Sequence, residues 1–293
     1  MTLMLATLMP TVLMLAMGIA MLAVGSGSLN FVSGLLLLAF CTTSLTGYIL
    51  GSMFVRRGAS LAKVQNDFIS SVSHELRTPL TSIRMFIETL QDERLTDPEE
   101  KQRCMDLLLR EVERLDGLVS RVIDLSRYET GRHPFEMKNL ALDEITEDAL
   151  QAFRASTIAD PTEVQVDLRP GLRVIGDRPT LALALTNLLM NAYKYADGHN
   201  RQIWLSATTA EQKVRLTVRD NGPGIPKDEQ RMIFDEFERG QGAIDGRAKG
   251  SGLGLAIVRA IVKAHNGTIE VESTPGHGAA FTLSVKRVGS AET

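Results

Sequence analysis

The first 55 of the 293 residues contain no Asp, Glu, Lys, Arg or His, so all 32 basic and 35 acidic residues lie from Arg56 onward. Such an uncharged stretch is atypical of a soluble domain, whereas the rest of the chain has an ordinary soluble composition. The net charge of −3 gives no sign of nucleic-acid binding. The two cysteines, Cys41 and Cys104, provide neither a disulfide framework nor a paired metal motif.

The uncharged region contains two long apolar runs, residues 3–24 and 31–55, separated by a Gly- and Ser-rich turn. Each run is long enough to cross a hydrocarbon core as a helix. A cleaved signal peptide is disfavoured because a second apolar run follows at once. Arg56 and Arg57 come directly after the second run and place the soluble part in the cytoplasm. Residues 1–57 therefore predict a transmembrane hairpin in the inner (cytoplasmic) membrane.

Residues 58–130 read as an antiparallel helical hairpin. The first helix runs to about residue 90, and Asp97 is a good N-cap for a second helix that begins at Pro98. Apolar residues of the second helix form a heptad seam: Met105, Leu108, Val112, Leu115, Val119 and Val122. A two-helix hairpin buries too little surface alone, so we expect a homodimer that forms a four-helix bundle.

His74 lies off the apolar stripe of the first helix. That stripe comprises Ile69, Val72, Leu76, Leu80, Ile83, Ile87 and Leu90. Because residues two apart on a helix point about 200° apart, the imidazole faces solvent. Glu75 is its neighbour, Thr78 shares its face, and Pro79 bends the helix one turn later. A zinc-protease motif would need a second His at position 78, and an exposed His alone is as readily an ordinary surface residue.

Residues 135–288 predict an α+β two-layer sandwich, followed by a tail at 289–293. We expect strands at residues 135–137, 164–168, 173–175, 202–207, 214–218, 268–272 and 280–285, and helices at 142–153 and 181–195. Hairpin connections dominate: the strands at 202–207 and 214–218 form one antiparallel pair, and those at 268–272 and 280–285 another. This order favours a mixed sheet with helices on one face over a doubly wound parallel sheet.

The helix at 181–195 carries an unusual polar stripe of Asn187, Asn191 and Lys194, followed by Tyr195. Asn is a mediocre helix former, so two on one face suggest that their oxygens bind Mg²⁺ beside phosphates, with Lys194 balancing the charge. In isolation, a simple solvated helix face explains the same stripe.

Two glycine-rich segments and the stretch between them suggest a ligand site. Asp220 is followed by a turn with Gly222 and Gly224, where a buried carboxylate could accept a hydrogen bond from an exocyclic amine. Residues 250–255 open a helix with alternating glycines, which suits an anion cradle. The glycine-containing stretch 240–249, preceded by Phe234 and Phe237, predicts a mobile lid. Each segment alone is weak evidence for binding.

Taken in order, these segments resemble the sensor histidine kinases of two-component systems. Residues 73–80 resemble the H box, 187–195 the N box, 220–224 and 250–255 the two glycine boxes, and 234–237 the F box. The Asn and glycine boxes are shared with other Bergerat-fold ATPases, including chaperones and gyrases. The H box on a heptad hairpin is specific to the kinases.

The resemblance implies that His74 accepts the γ-phosphoryl group of ATP and that Glu75 orients the ring and assists proton removal. It implies that Asn191, helped by Asn187, holds Mg²⁺ and that Asp220 recognises the adenine amine. Other residues implied at the nucleotide are Lys194, Tyr195, Gly222, Gly224, Phe237, Arg239, Gly250, Gly252, Leu253, Gly254 and Thr282. Thr78 resembles the family's phosphatase element.

The resemblance also implies a partner, because the phosphoryl group passes to an aspartate of a response regulator receiver domain. Two alternatives are a Bergerat-type ATPase that forms no phosphohistidine and a degenerate kinase that acts as a membrane scaffold. No large sensor domain separates the two apolar runs. Detection of a signal is therefore left to the hairpin, to a partner membrane protein or to a domain absent from this chain.

Overall fold

The computed structural model describes residues 2–24, 28–91, 97–196, 200–235 and 252–288. The chain divides into two compact units, Met1–Ile69 and Ser70–Thr293. It begins with three helices: α1 (Thr2–Val24), α2 (Ser28–Gln91) and α3 (Pro98–Glu129). The sequence suggested separate helices before and after residue 57, but α2 is continuous there. A single glycine at position 58 costs only about 1 kcal/mol in a long helix, too little to end it.

In the first unit, α1 and α2 pack through small residues. A Cβ atom on Gly34 would lie 2.8 Å from Leu22 Cγ and 3.0 Å from the carbonyl oxygen of Gly18. Further along, Cys41 Sγ lies 3.6 Å from the carbonyl oxygen of Thr11. Such close approach is the usual packing mode of helices in lipid.

Among the described residues, one helical segment is long and apolar enough to cross a membrane. It is Phe31–Val55, with a mean hydropathy of 1.6. The apolar segment found in α1, Thr11–Val24, is shorter than a full span. The structure thus agrees with the second predicted span, and the two-span hairpin is not confirmed.

Helix α3 begins where the sequence predicts. Asp97 Oδ1 accepts a hydrogen bond from the Glu99 N–H (3.0 Å), and Pro98 occupies the first turn. Helices α2 and α3 approach each other where Cys104 Sγ lies 3.8 Å from the carbonyl oxygen of Phe86. Much of the heptad seam of α3 stays exposed within one chain, with Met105, Val112 and Val119 each more than a third accessible. A single chain therefore leaves part of this apolar seam exposed to solvent.

The remaining elements form a two-layer α/β arrangement. The strands are β1 (Lys138–Ala141), β2 (Val164–Asp167), β3 (Arg173–Gly176), β4 (Ile203–Ala210), β5 (Lys213–Asp220), β6 (Thr268–Ser273) and β7 (Ala279–Lys286). The helices are α4 (Leu142–Ser156), α5 (Arg178–Tyr195) and α6 (Gly254–Ala264), with a short 3₁₀ helix at Met232–Phe234. Strands β1 and β3 form an antiparallel ribbon, and the main sheet has the order β2-β4-β5-β7-β6.

The main sheet is mixed, as predicted. Strand β2 is parallel to β4, whereas the β4–β5, β5–β7 and β6–β7 pairs are antiparallel. Alternate residues on the central strands are buried, for example Leu205, Leu216 and Leu283. They lie on the face that α5 and α6 cover. The opposite face carries polar residues such as Thr217 and Thr282.

The segment before β1 differs from the sequence prediction. Residues 135–137 are not a strand, and β1 starts at Lys138, which pairs with Gly176. The Glu136 N–H donates to the Asp177 carboxylate (2.9 Å) rather than to a neighbouring strand. A side-chain acceptor has thus replaced a strand partner. The same Asp177 caps α5, which begins three residues before the predicted position.

Two glycines of the turn before β7 provide a matched stability test. Gly276 and Gly278 both have positive φ values, 84° and 76°. A Cβ atom on Gly278 would lie 2.0 Å from the carbonyl oxygen of Asp220, whereas one on Gly276 would contact nothing within 4 Å. We expect Gly276→Ala to cost about 1 kcal/mol of unfolding free energy and Gly278→Ala about 2–4 kcal/mol. Equal shifts of the thermal unfolding midpoint would contradict this.

Candidate active site

His74 lies exposed on α2, as its position off the apolar stripe predicts. Glu75, beside it, is half-buried, and Pro79 is buried inside the same helix. Thr78 Oγ1 lies 3.5 Å from the carbonyl oxygen of His74, at the limit of a hydrogen bond, whereas Thr81 Oγ1 donates to the carbonyl of Arg77 at 2.9 Å. His74 and Thr78 line a shallow groove together with Arg77, Thr81, Ser82 and Met85. The exposed imidazole therefore has a hydroxyl close by that is only weakly engaged.

Helix α5 presents the predicted polar stripe. Its apolar side, including Leu185, Leu188 and Leu189, is fully buried, which fixes the rotation of the helix. The opposite residues are half-buried: Asn187, Asn191, Lys194 and Tyr195. Lys194 Nζ donates to Tyr195 Oη at 3.0 Å and lies 4.6 Å from the centre of the Tyr195 ring. The stripe thus offers two amides and a cation on one side of a rigid helix.

Asp220 ends β5 as a buried carboxylate, only 3% exposed. Its Oδ1 accepts hydrogen bonds from the N–H groups of Gly222 (2.8 Å) and Ala279 (3.3 Å). Burial raises the pKa of Asp220, and the two backbone donors partly oppose that rise. With Oδ1 engaged, Oδ2 is the oxygen that could accept a hydrogen bond from a ligand.

Two close approaches connect α5 to both glycine segments. A Cβ atom on Gly222 would lie 2.3 Å from the carbonyl oxygen of Tyr195, so only glycine fits there. A Cβ atom on Gly254, at the start of α6, would lie 3.2 Å from Asn187 Oδ1. The structure therefore brings together the Asn stripe, the Asp220 turn and the second glycine segment.

The two asparagines of the stripe differ in how they are engaged. Asn187 Nδ2 donates to the carbonyl oxygen of Leu183 at 2.9 Å, and its Oδ1 lies against Gly254. The Asn191 side chain has no hydrogen-bond partner among the described residues. The described ranges contain no group of three or more His, Cys, Asp or Glu residues placed to hold a metal ion. An unengaged amide oxygen is a ligand that Mg²⁺ accepts, so Asn191 could hold this ion, which would neutralise charge on a bound nucleotide.

The F-box segment begins with a 3₁₀ turn, in which Phe234 is buried and its ring lies 6.2 Å from that of Phe281. One contact here could not be predicted from the sequence: Arg259 of α6 pairs with Asp235 at 2.6 Å. The i, i+24 separation gives no local signal for such a pair. Of the predicted site residues, Phe237, Arg239 and Gly250 lie outside the described residues. Gly252 and the fully buried Leu253 lead into α6.

Thr282 is not brought to this site, which corrects its assignment near the adenine. It follows the buried Phe281 on β7 and therefore points to the opposite face of the sheet. There its hydroxyl lies 2.9 Å from Thr217 Oγ1. Ala279, two residues before Phe281, lies on the Asp220 side and donates its N–H to that carboxylate. The period-two alternation along the strand could have given this result from the sequence.

Two protein families match this chain, one over the helical hairpin and one over the α/β domain. Residues 64–131 match the His Kinase A (phospho-acceptor) domain, and residues 176–289 match the histidine kinase-, DNA gyrase B- and HSP90-like ATPase family. The chain belongs to the sensor histidine kinases. The second match alone would also allow a chaperone or gyrase, so the phospho-acceptor domain around His74 is decisive.

Curated relatives support the assignment. This histidine kinase is 34% identical over 227 residues to the sensor-like histidine kinase SenX3 of Mycobacterium tuberculosis. The aligned region covers 78% of this chain and 55% of SenX3. It is also 34% identical to the signal transduction histidine-protein kinase BaeS of Escherichia coli, over 76% of this chain and 47% of BaeS. The chain thus spans about half the length of these relatives.

Two solved histidine kinase structures agree with the fold of the described residues. The histidine kinase AdeS of Acinetobacter baumannii superposes with a TM-score of 0.60 at 27% identity, covering 74% of this chain and 98% of that chain. The histidine kinase ThkA, solved in complex with response regulator protein TrrA, gives 0.62 at 25% identity, covering 80% of this chain and 65% of that chain.

Asp220 provides a test of nucleotide recognition. In Asp220→Asn, an NH₂ group replaces the Oδ2 acceptor and would face the adenine amine donor, so we expect ATP affinity to fall about 10- to 100-fold. Because burial raises the pKa of Asp220, the ionised form is unfavourable in the folded protein, and the neutral Asn should raise the melting temperature without ATP.

Titration calorimetry and thermal unfolding measure these two quantities. Asp228→Asn, at an exposed position shortly after the turn, is the matched control and should change neither. Unchanged ATP affinity in Asp220→Asn would rule out Asp220 as the adenine acceptor.

Proposed function

We propose that this sensor histidine kinase transfers the γ-phosphoryl group of ATP to His74 and then to an aspartate of a response regulator receiver domain. The observation that carries the proposal is the exposure of His74 within the phospho-acceptor region. In the first step a ring nitrogen of His74 forms a P–N bond, the bond to the β-phosphate oxygen breaks and ADP leaves. In the second step an aspartate oxygen takes the phosphoryl group and the imidazole is restored.

The residues around His74 suit a nucleophilic imidazole. A neutral imidazole attacks at near-neutral pH, and an exposed ring can be reached by two partners in turn. Glu75 is the adjacent carboxylate, and we assign it the orientation of the ring and removal of its proton. Phosphoryl transfer otherwise demands positioning and charge neutralisation rather than new covalent chemistry from the protein.

The residues gathered by α5 suit ATP. We assign Asp220 Oδ2 to the adenine amine, Lys194 and Tyr195 to the nucleotide, and Asn191 to Mg²⁺. Asn187 supports the metal site through its contact with Gly254. When bound, Mg²⁺ neutralises charge on the phosphates. Supporting backbone comes from Gly222, Gly224, Gly252, Leu253 and Gly254, and the family resemblance adds Phe237, Arg239 and Gly250.

A homodimer follows from the exposed seam of α3. Met105, Val112 and Val119 are 47%, 42% and 39% exposed in the single chain. Pairing with a second copy would cover these side chains and form a four-helix bundle. The domain limits that accompany this proposal are 1–57, 58–130 and 135–288.

The apolar N-terminal region supports attachment to the inner membrane. We propose two spans, residues 3–24 and 31–55, with the kinase domains in the cytoplasm. Support comes from the candidate span Phe31–Val55, from the close packing of α1 on α2 and from the arginines at positions 56 and 57.

Thr78 supports a second activity, removal of phosphate from the partner regulator. Its hydroxyl is one helical turn from His74, and its 3.5 Å contact to the His74 carbonyl leaves it available to a water molecule or a phosphoryl oxygen. Thr81, bonded at 2.9 Å, is more strongly engaged.

His74→Gln tests the central step, because glutamine retains polarity but lacks a nucleophilic ring nitrogen. The full chain in lipid nanodiscs is incubated with γ-labelled ATP and Mg²⁺. We expect acid-labile label in the wild type, less than about 1% of it in His74→Gln, and a similar loss in Asn191→Ala. His277→Gln, at another exposed histidine, should label normally. Label that survives His74→Gln would overturn the proposal in favour of a different acceptor.

Thr78→Ala tests the second activity. With a phosphorylated receiver domain as substrate, we expect the rate of dephosphorylation to fall about 10- to 100-fold because the hydroxyl no longer positions the attacking water. Thr81→Ala removes a hydroxyl from the same groove and should have little effect. Equal rates for wild type and Thr78→Ala would show that this hydroxyl has no such role.

A further inference from the structure

We propose that His265 is a positioning residue for phosphoryl transfer, which fixes the linker between α3 and the ATP-binding domain through its contacts with Asp177 and Phe135. The inference rests on the proposed function, since the linker joins the hairpin that carries His74 to the domain that binds ATP. His265 follows the last residue of α6 and is only 4% exposed.

Both ring nitrogens of His265 are used in one tautomer. Nδ1 lies 2.8 Å from the carbonyl oxygen of Ile261, and a carbonyl only accepts, so Nδ1 carries the hydrogen. Nε2 then accepts the backbone N–H of Asp177 at 3.0 Å. Burial lowers the pKa of His265, which favours this neutral form. The ring is thus held at both ends.

Asp177 carries the connection from the ring to the linker. Its backbone N–H faces His265, while its carboxylate accepts hydrogen bonds in two other directions. Oδ1 accepts from the N–H and hydroxyl of Thr180, at 3.0 and 2.7 Å, and Oδ2 accepts from the Glu136 N–H at 2.9 Å. The N-cap of α5 is therefore also the anchor of the linker backbone.

A chain of ring contacts runs from the same histidine back to α3. The rings of His265 and Phe135 are 5.4 Å apart, Phe135 and His133 4.7 Å, and His133 and Tyr128 5.0 Å, each edge to face. Tyr128 is buried near the end of α3. Loss of the linker anchor would therefore weaken one of the contacts between α3 and the ATP-binding domain.

The position of this junction separates it from nucleotide binding. Asp177 precedes Asn191 by fourteen residues of α5, about 21 Å, and His265 follows Gly254 by eleven residues, about 16 Å. At Gly176 a Cβ atom would lie 2.4 Å from Leu181 Cδ1 and 3.0 Å from His265 Cδ2, so a side chain there would displace these two buried residues. A close-packed junction remote from ATP should affect where the domain sits rather than how tightly it binds.

Two substitutions at His265 distinguish its two hydrogen bonds. In His265→Gln the amide group reaches the position of Nε2 and can accept the Asp177 N–H, whereas in His265→Asn the shorter amide reaches only the position of Nδ1. We expect His265→Asn to lower kcat of His74 labelling about 10-fold or more, with KM for ATP within about 2-fold of wild type. His265→Gln should restore kcat to within about 3-fold.

A second measurement follows the linker itself. Trypsin cleaves after exposed Arg132 in the linker and after exposed Lys213, the first residue of β5. Cleavage after Arg132 should be faster in His265→Asn, and cleavage after Lys213 should not change. Glu136→Pro removes the linker N–H that Asp177 accepts and leaves the His265 side chain in place, so it should reproduce both effects. Glu136→Ala, which also loses the carboxylate but keeps the N–H, is its control.

Three results would overturn the inference: wild-type kcat and cleavage in both His265→Asn and Glu136→Pro, a raised KM with unchanged kcat, or equal impairment by Asn and Gln with general destabilisation. The last result would identify a histidine that only fills the core. Absence of label from wild-type His74 would instead overturn the proposed function, and this inference with it.

Discussion

The carbonyl oxygen of Tyr195 lies so close to Gly222 that a methyl group there would overlap it, and the amide oxygen of Asn187 leaves little more room at Gly254. These two approaches determine where α5 lies relative to both glycine segments. The buried leucines of α5 fix its rotation, and the Asp177 cap fixes its start. The positions of Asn191, Lys194 and Asp220 relative to one another follow from this one helix and its neighbours. The nucleotide site thus depends on how α5 packs as well as on the side chains that would contact the ligand.

Local patterns predicted much of this arrangement. Asp97 with Pro98 located the start of α3, the apolar stripe placed His74 on the exposed side, and alternation located the antiparallel strand pairs. Each signal lies within a few residues of the feature it predicts. Family resemblance then supplied the chemistry that these patterns alone left open.

The errors arose where a distant residue decides the structure. Residues 135–137 have strand-like composition, but Asp177, 41 positions from Glu136, takes the backbone donor that a strand would use. Likewise, Arg259 meets Asp235 across a separation of 24 residues. Thr282 is different, because the alternation that places Phe281 inside already excludes Thr282 from the same face. Strand alternation alone therefore excludes the position near the adenine that the family resemblance implies for Thr282.

His74 and His265 show how one residue type acquires opposite chemistry. His265 is enclosed, with both nitrogens occupied, so it can neither bind nor react. His74 is exposed at the edge of a shallow groove on α2. Under the proposed function, a phosphoryl group on such a ring would be open to water as well as to the regulator. Transfer to the regulator would therefore compete with spontaneous hydrolysis of the same P–N bond.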